Sequence, residues 1–304
     1  MTNIVFGSDF HFDLYPAYPG MFDNIKRAFR TAIDLAAKLN ALYVDLGDTF
    51  DPLSGKISAS VLDPVFDEFA EASKRVKILK ILGNHGRGDH GTGDHSEAPL
   101  GGLAGVRLFQ TQGVELVQGS PDVALFMVSY QEHKDDFIKI VRDFEKEAMK
   151  LRRAKTVCLL GTHQGYRGGY VGVHEPGYQP NEDQGAWELP GDLFNPFAAV
   201  LSGHFHKHQE LTIGGRKLFY VGAPLQHDLG DRGQTRGIVV VRVAPKGELT
   251  VGQRAFDQFP TFEVIKVDRE KFDGILKRDW SNTFVKAVIA DAAFDEARLF
   301  ELKA

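Results

Sequence analysis

Short apolar runs recur along the chain, and each closes on a polar, glycine-containing loop. Residues 4–6 run into Gly7-Ser8-Asp9, residues 42–46 into Gly47-Asp48, and residues 76–82 into Gly83-Asn84-His85. Residues 157–160 run into Gly161-Thr162-His163 and residues 198–201 into Ser202-Gly203-His204, while residues 123–128 form a further run. Their shortness and their bounding turn residues predict buried strands. Between the first two runs Met21, Ile25, Phe29, Ile33 and Ala36 recur at helical spacing, with Lys26, Arg27, Arg30 and Asp34 on other faces. Val61, Leu62, Val65, Phe66 and Phe69 mark a second amphipathic helix, and Phe137, Ile140, Val141, Phe144, Met149 and Leu151 a third over about residues 135–155. Strands alternating with helices predict a layered α/β core. Residues 209–213, Gly214-Gly215 and residues 216–221 predict a hairpin with a two-residue turn, followed by a strand over residues 237–243.

From about Phe256 the pattern shifts. Residues 262–267 and 283–289 alternate, and residues 269–277 have helical character. The expected division is therefore a main domain over residues 1–255 and a small α+β extension over 256–304, too short to fold comfortably alone.

Composition narrows the class. Charged residues make up 25% and hydrophobic residues 43% of 304, as in ordinary folded domains. The net charge of −5 excludes a generic polycation, so nucleic-acid binding would need a local patch or bound cations. The single cysteine, Cys158, excludes an intrachain disulfide and points to a reducing compartment. The opening residues lack the pattern of a secretory leader, and no apolar run reaches membrane-span length. A cytoplasmic location is expected, that of a host cell if the chain is phage-encoded.

The polar loops carry the chemistry. Asp9, His11, Asp48, Asn84, His163, His204 and His206 offer two carboxylates, four imidazoles and an amide oxygen, with His85 in addition. In open α/β sheets such groups gather at the carboxyl ends of strands, so residues far apart in sequence can share one site. Mixed nitrogen and oxygen donors suit Mn, Fe or Zn better than Mg or Ca. Seven donors fit two ions sharing a carboxylate, the clamp used in phosphoryl hydrolysis. Each motif alone is weak, since Asp-x-His and His-x-His patterns arise by chance as capping or surface residues. The ordered set, each member after an apolar run and Gly or Ser, is far more specific.

This order resembles the calcineurin-like metallophosphoesterase superfamily, through Asp9-Phe10-His11, Gly47-Asp48-Thr49-Phe50-Asp51, Gly83-Asn84-His85, Gly161-Thr162-His163 and Gly203-His204-Phe205-His206. The resemblance implies a layered α/β sandwich and two divalent ions, manganese first and iron or zinc as alternatives. One ion would be held by Asp9, His11, Asp48 and His206, the other by Asp48, Asn84, His163 and His204, with Asp48 bridging. A water activated between them would attack phosphorus, and His85 would protonate the leaving oxygen or steady the transition state. The run Gly47-Asp48-Thr49-Phe50-Asp51, without the Asp-Arg-Gly of Ser/Thr phosphatases, and the segment 217–226 are similar to the SbcD-type nuclease branch, with Phe259-Pro260-Thr261-Phe262 where its DNA-capping domain begins. That implies an exo- and endonuclease acting on DNA in repair or recombination. It also implies a homodimer through the helix bearing Leu62, Phe66 and Phe69, and an SbcC-type ATPase partner. The likeness spans about residues 3–267. The short extension and the missing ATPase-gripping helical segment are departures from the branch, and resemble the compact phage members. A nucleotide or small-molecule phosphodiesterase is the alternative, and a non-catalytic scaffold on the same fold a third.

A further departure is Gly86, where the family carries an acidic residue after Asn-His. Either Asp89, Asp94 or Asp51 orients His85 instead, or His85 is less well poised and the site lacks an orienting carboxylate. The Gly-rich loop 86–95, with His90 and His95, reads as a rim loop before it reads as a third metal site. His208 and His227 are candidates to contact the ligands or to lie on the surface. Arg87, Tyr166 and Arg167 are candidate DNA contacts, with Tyr170 and Tyr178 as stacking candidates that more commonly just pack a glycine loop. Residues 134–155 hold eight basic and five acidic residues, which reads as a solvated helix face before a phosphate patch.

Overall fold

The computed structural model describes residues 1–13, 20–51, 57–87, 95–170, 186–267, 274, 277–280 and 282–289. In chain order the elements are β1 (Thr2–Gly7), α1 (Met21–Lys38), β2 (Leu42–Asp45), α2 (Ala59–Ser73), β3 (Ile78–Ile81), β4 (Val106–Phe109), β5 (Gln112–Val117) and β6 (Val123–Val128). They continue with α3 (Lys134–Arg153), β7 (Val157–His163), β8 (Ala199–Gly203), β9 (Gln209–Ile213), β10 (Arg216–Tyr220), β11 (Gly237–Val243), β12 (Leu249–Ala255), β13 (Thr261–Val267) and β14 (Thr283–Ile289).

Among the described residues the strands form two six-stranded sheets, ordered β12-β11-β1-β2-β3-β4 and β5-β6-β7-β8-β10-β9. The centre of each is parallel: β1 with β2 and β2 with β3 in one, β6 with β7 and β7 with β8 in the other. The antiparallel strands lie at the margins. Alternate residues divide cleanly. Ile4, Phe6, Val44, Leu46, Leu79 and Ile81 meet Leu125, Met127, Leu159 and Leu201 in a core between the sheets. Their neighbours Val5, Tyr43 and Ile78 pack outward under α1 and α2, and Ala124, Phe126 and Cys158 pack under α3. Burial on both faces is why these strands read as continuous apolar runs without alternation. The result is a layered α/β sandwich, as the sequence predicts.

The strands do not form one sheet, however. The motif-bearing strands split between two, which strand-by-strand reading cannot anticipate. It also passes over β4, β5 and β12, which are not buried throughout and expose positions such as Arg107, Leu116 and Arg254. The hairpin holds: Gly214 and Gly215 both take positive φ (55° and 78°), as a two-residue turn between twisted strands requires. In the extension, β13 and β14 pair in parallel, and Phe262 is buried in the core under α1 and α2. The segment 269–277 read as helical lies largely outside the described residues. Among the described residues no helix is long and apolar enough to cross a membrane.

Candidate metal centre

The five motif-bearing ends, those of β1, β2, β3, β7 and β8, meet where the parallel centres of the two sheets lie against each other. Beyond β1 and β2 the backbones run on side by side: Asp9 N–H donates to Gly47 O (3.0 Å), His11 N–H to Asp48 O (3.1 Å) and Phe12 N–H to Thr49 O (2.9 Å). Among the described residues six non-glycine positions have positive φ, and four are Asp9, His11, Asp48 and His204. Such positions cost on the order of 1–3 kcal/mol each and persist only where surroundings enforce them. Here they turn side chains from successive loops toward one point. Two glycines make the convergence sterically feasible. A Cβ on Gly83 would sit 1.9 Å from Asp48 Oδ1, and one on Gly203 would sit 2.1 Å from Ser8 Oγ and 2.6 Å from His163 Nδ1.

Asp48 is the hub. Its Oδ2 lies 3.0 Å from His163 Nε2, 4.0 Å from His11 Nε2 and 3.9 Å from His85 Nε2, while Oδ1 accepts the His85 N–H (3.0 Å). On one side Asn84 Oδ1 lies 3.1 Å from His163 Nε2 and 2.8 Å from His204 Nδ1. On the other, His11 Nε2 and His206 Nε2 face each other at 3.2 Å, and ligand atoms of Asp9, His11 and Asp48 lie within 4.8 Å of one another. Asp9 is held by the His204 N–H, at 3.1 and 3.2 Å to its two oxygens. All seven predicted ligands therefore come together around Asp48. His163 Nδ1 donates to Leu46 O (2.6 Å), which turns the Nε2 lone pair inward, the orientation a metal-bound histidine takes. Oxygen and imidazole donors converging on a buried carboxylate fit two borderline divalent ions.

The charges agree. Burial opposes ionisation of Asp48, yet the His163, His11 and His85 rings hold its carboxyl well below the ordinary range. Burial likewise disfavours the charged His163 ring, but Asp48 and Asp9 outweigh it and lift its pKa to about 9. A proton thus occupies the place a cation would neutralise. His206 and His227 go the other way, held neutral by burial and by the neighbouring His11.

His85 is oriented by Asp51. The ring Nδ1 meets the Asp51 backbone carbonyl and lies 3.7 Å from its Oδ1, and the same carboxylate lies 3.3 Å from His11 Nδ1. One carboxylate thus lies beside both a predicted ligand and the predicted proton donor. Asp89, Asp94, His90 and Tyr178 lie outside the described residues. Gly86 is not a vacant slot for an acid: its φ is +76° and a Cβ would come within 2.3 Å of Ser96 Oγ. We expect Gly86→Asp to lose about 1–3 kcal/mol of stability in urea denaturation and to bring no gain in turnover.

A buried ionic cluster, which motif reading misses, lies beneath the Asp48 loop on the helix-facing side of the first sheet. Lys80 Nζ contacts Asp45 Oδ1 (2.7 Å), Glu97 Oε2 (2.5 Å) and Thr49 Oγ1 (2.5 Å), and Lys80, Asp45 and Glu97 are all fully buried. Glu97 Oε1 accepts the Thr49 N–H (3.0 Å) and Asp45 Oδ1 the Gly47 N–H (3.0 Å), so both neighbours of Asp48 are tied to it. Burial pushes the Asp45 carboxyl up, only partly offset by Lys80. The available signal was one charge of each sign inside an apolar strand run, Asp45 and Lys80, which are register partners across β2 and β3.

The remaining candidates divide. Tyr166 is corrected as a DNA contact: its ring is buried in the α3-side core, its hydroxyl pairs with Thr162 Oγ1 (2.8 Å), and no face is left for a base. Arg167 is exposed and bonds Glu188 (2.9 Å), and Arg87 lies 3.6 Å from Glu132. His208 Nδ1 donates to Tyr220 O (2.8 Å), bracing the turn before β9 and outside the donor cluster. His95 bonds Gly83 O (3.3 Å) and the Glu97 N–H (3.2 Å), a loop brace. Phe69 is corrected as an interface residue: it is buried against Phe29, with ring centroids 4.6 Å apart, whereas Leu62 and Phe66 are half-buried. The charged positions Lys150, Arg152, Arg153 and Lys155 form a solvated face.

This arrangement is a layered α/β sandwich of two sheets with a donor cluster at their joined parallel ends. Among solved structures the chain is similar to a dimetal phosphatase from Danio rerio, with a TM-score of 0.54 and 10% identity over 84% of this chain and 96% of that one. It is similar to a putative 5'-nucleotidase from Staphylococcus aureus (TM-score 0.52, 14% identity), covering 99% of this chain and 58% of that one. It is also similar to GAP50, described as the anchor in the inner membrane complex of Plasmodium (TM-score 0.51, 12% identity, 84% and 89% covered). At such identities the likeness is one of fold. No family model matches the chain, and no curated protein matches it.

Proposed function

We propose that this chain is a binuclear metal-dependent phosphodiesterase that cleaves DNA. The observation that carries the hydrolase reading is the hub at Asp48, with Asp9, His11 and His206 on one side and Asn84, His163 and His204 on the other. Two divalent ions held there would activate water and neutralise phosphate charge. The chain itself does the rest. Asp51 and the Asp48 carboxylate place His85 beside the hub, where it supplies the proton to the leaving oxygen. Leu46 O sets the tautomer of His163, the Asp51 carboxylate lies 3.3 Å from His11 Nδ1, and the Lys80 cluster holds the loop.

The DNA assignment rests on the SbcD-like segments 47–51 and 217–226, with residues 256–304 as a reduced cap. Dimerisation through the half-buried face of α2 and an SbcC-type ATPase partner belong to the same proposal, and light scattering and co-purification test them. A second reading, hydrolysis of nucleotides or small phosphodiesters, is favoured by likeness to the nucleotidase structure. Manganese-stimulated cleavage of linear and hairpin duplexes, beside a nucleotide diester, separates the two. Cleavage of neither, with two ions bound, would favour a non-catalytic scaffold on the same fold.

Metal uptake should depend on pH. The His163 ring carries a proton below about 9 in the metal-free protein, against an ordinary value of 6.5, and an ion must displace it. Calorimetric titration with Mn²⁺ is expected to show proton release and an apparent affinity that rises across that interval. An affinity independent of pH would show that His163 is not displaced from its proton.

A further inference from the structure

His227 follows none of the strand-end motifs, yet it is 1% exposed and stands against two predicted ligands. Its ring centroid lies 5.4 Å from that of His11, at 90°, and 4.9 Å from that of His206, at 74°. A ring nitrogen from each of the three lies within 4.8 Å of the others, as close as the donor atoms of Asp9, His11 and Asp48. Its loop is built to hold it there. Asp231 accepts the His227 N–H (2.8 Å) and pairs with Arg236, and both charged groups are nearly buried. Gln226 bonds Gln234 O (3.1 Å) and accepts the Phe262 N–H (2.7 Å), which ties the loop to β13. A buried ion pair is a costly way to place an ordinary core residue, whereas a metal ligand must be held against the repulsion of its neighbours.

We infer that His227 supplies a further imidazole to the ion held by Asp9, His11, Asp48 and His206, an inference that rests on the two-ion reading above. The two half-sites then differ in kind. One offers three imidazoles and two carboxylates, the other two imidazoles, an amide oxygen and the shared carboxylate. The nitrogen-rich half selects borderline ions such as Fe²⁺, Co²⁺ or Zn²⁺ over Mn²⁺ or Mg²⁺.

The test is Co²⁺ titration of the metal-stripped full chain, followed by its d–d absorption. Wild type is expected to take up two equivalents. His227→Ala and His227→Gln are expected to weaken one of them by about 10–100-fold, in the range seen when a metal site loses a supporting group, and to change the bands of that ion alone. In wild type carrying ¹⁵N-labelled histidine, Co²⁺ should produce contact shifts in five rings and not four, a readout that does not depend on a variant folding. Two equivalents bound with four contact-shifted rings, or folded variants with unchanged affinity and spectrum, would overturn the role of His227 alone. Failure of wild type to bind Co²⁺ would overturn the two-ion reading itself.

Discussion

Asp48→Asn is expected to lower phosphodiester turnover by on the order of a thousandfold or more, since the carboxylate shared by both donor sets accounts for several kcal/mol of the clamp. The geometry explains the size of the loss. Asn can keep the oxygen that accepts the His85 N–H, but it turns an NH₂ group toward His163, His11 and the His85 ring, where Asp48 presents Oδ2. The variant thus removes a charge and sets a donor where lone pairs converge. Mass-spectrometric metal content should fall with activity. A second consequence is measurable without metal. The raised His163 pKa contributes stability that is fully present below 6.5 and is lost as pH rises through about 9. Asp48 is the main source of that rise, so thermal melts of metal-free Asp48→Asn should lose most of this dependence. Retained turnover, or an unchanged slope of stability with pH, would show that Asp48 is not the hub.

Lys80→Met is expected to cost about 3–5 kcal/mol of folding stability, the range for removing one partner from a buried ion pair. It leaves Asp45 and Glu97 fully buried with no cation between them, and Asp45 already has an Oδ2 without a hydrogen-bond partner among the described residues. The Asp45 carboxyl, already pushed up by burial, would then favour the protonated form still more. Folded-state values raised above the unfolded ones give stability that is present at low pH and lost as pH rises, so the deficit should be smaller at pH 5 than at pH 8. The triple change Lys80→Met, Asp45→Asn, Glu97→Gln should recover part of the loss, because it removes the stranded charges. Urea denaturation measures both. Mn²⁺ affinity should fall in the single variant, because Gly47 and Thr49, on either side of Asp48, are tied through Asp45 and Glu97. A Lys80→Met protein as stable as wild type at pH 8 would remove the cluster's role.

The correspondence between sequence and site is close at the ligands and poor around them. Each ligand stands within a few residues of an apolar run, so local pattern finds it. Asp51 was one of three candidates to orient His85, and local order could not choose among them. Asp51 reaches the ring because the 47–51 loop folds back over His11, with Asp51 N–H on Asp13 Oδ1 (2.7 Å), while Asp89 and Asp94 lie outside the described residues. Tyr166 and Phe69 were misassigned for one reason: an aromatic residue beside a glycine loop or on an amphipathic helix has the same local pattern whether its neighbour is a partner or the core.

What the chain's own order determines is therefore the set of strand ends, the donors on them and the layered α/β class, because apolar period and turn chemistry act over a few residues. Only the tertiary structure decides that the donors come from two sheets and meet at their joined parallel ends. The same holds for the partners of Lys80 and for the approach of His227 to His11 and His206. Those contacts join residues from 17 positions apart, as between Lys80 and Glu97, to 216 apart, as between His11 and His227. Such contacts form only when whole layers pack, so no local pattern encodes them.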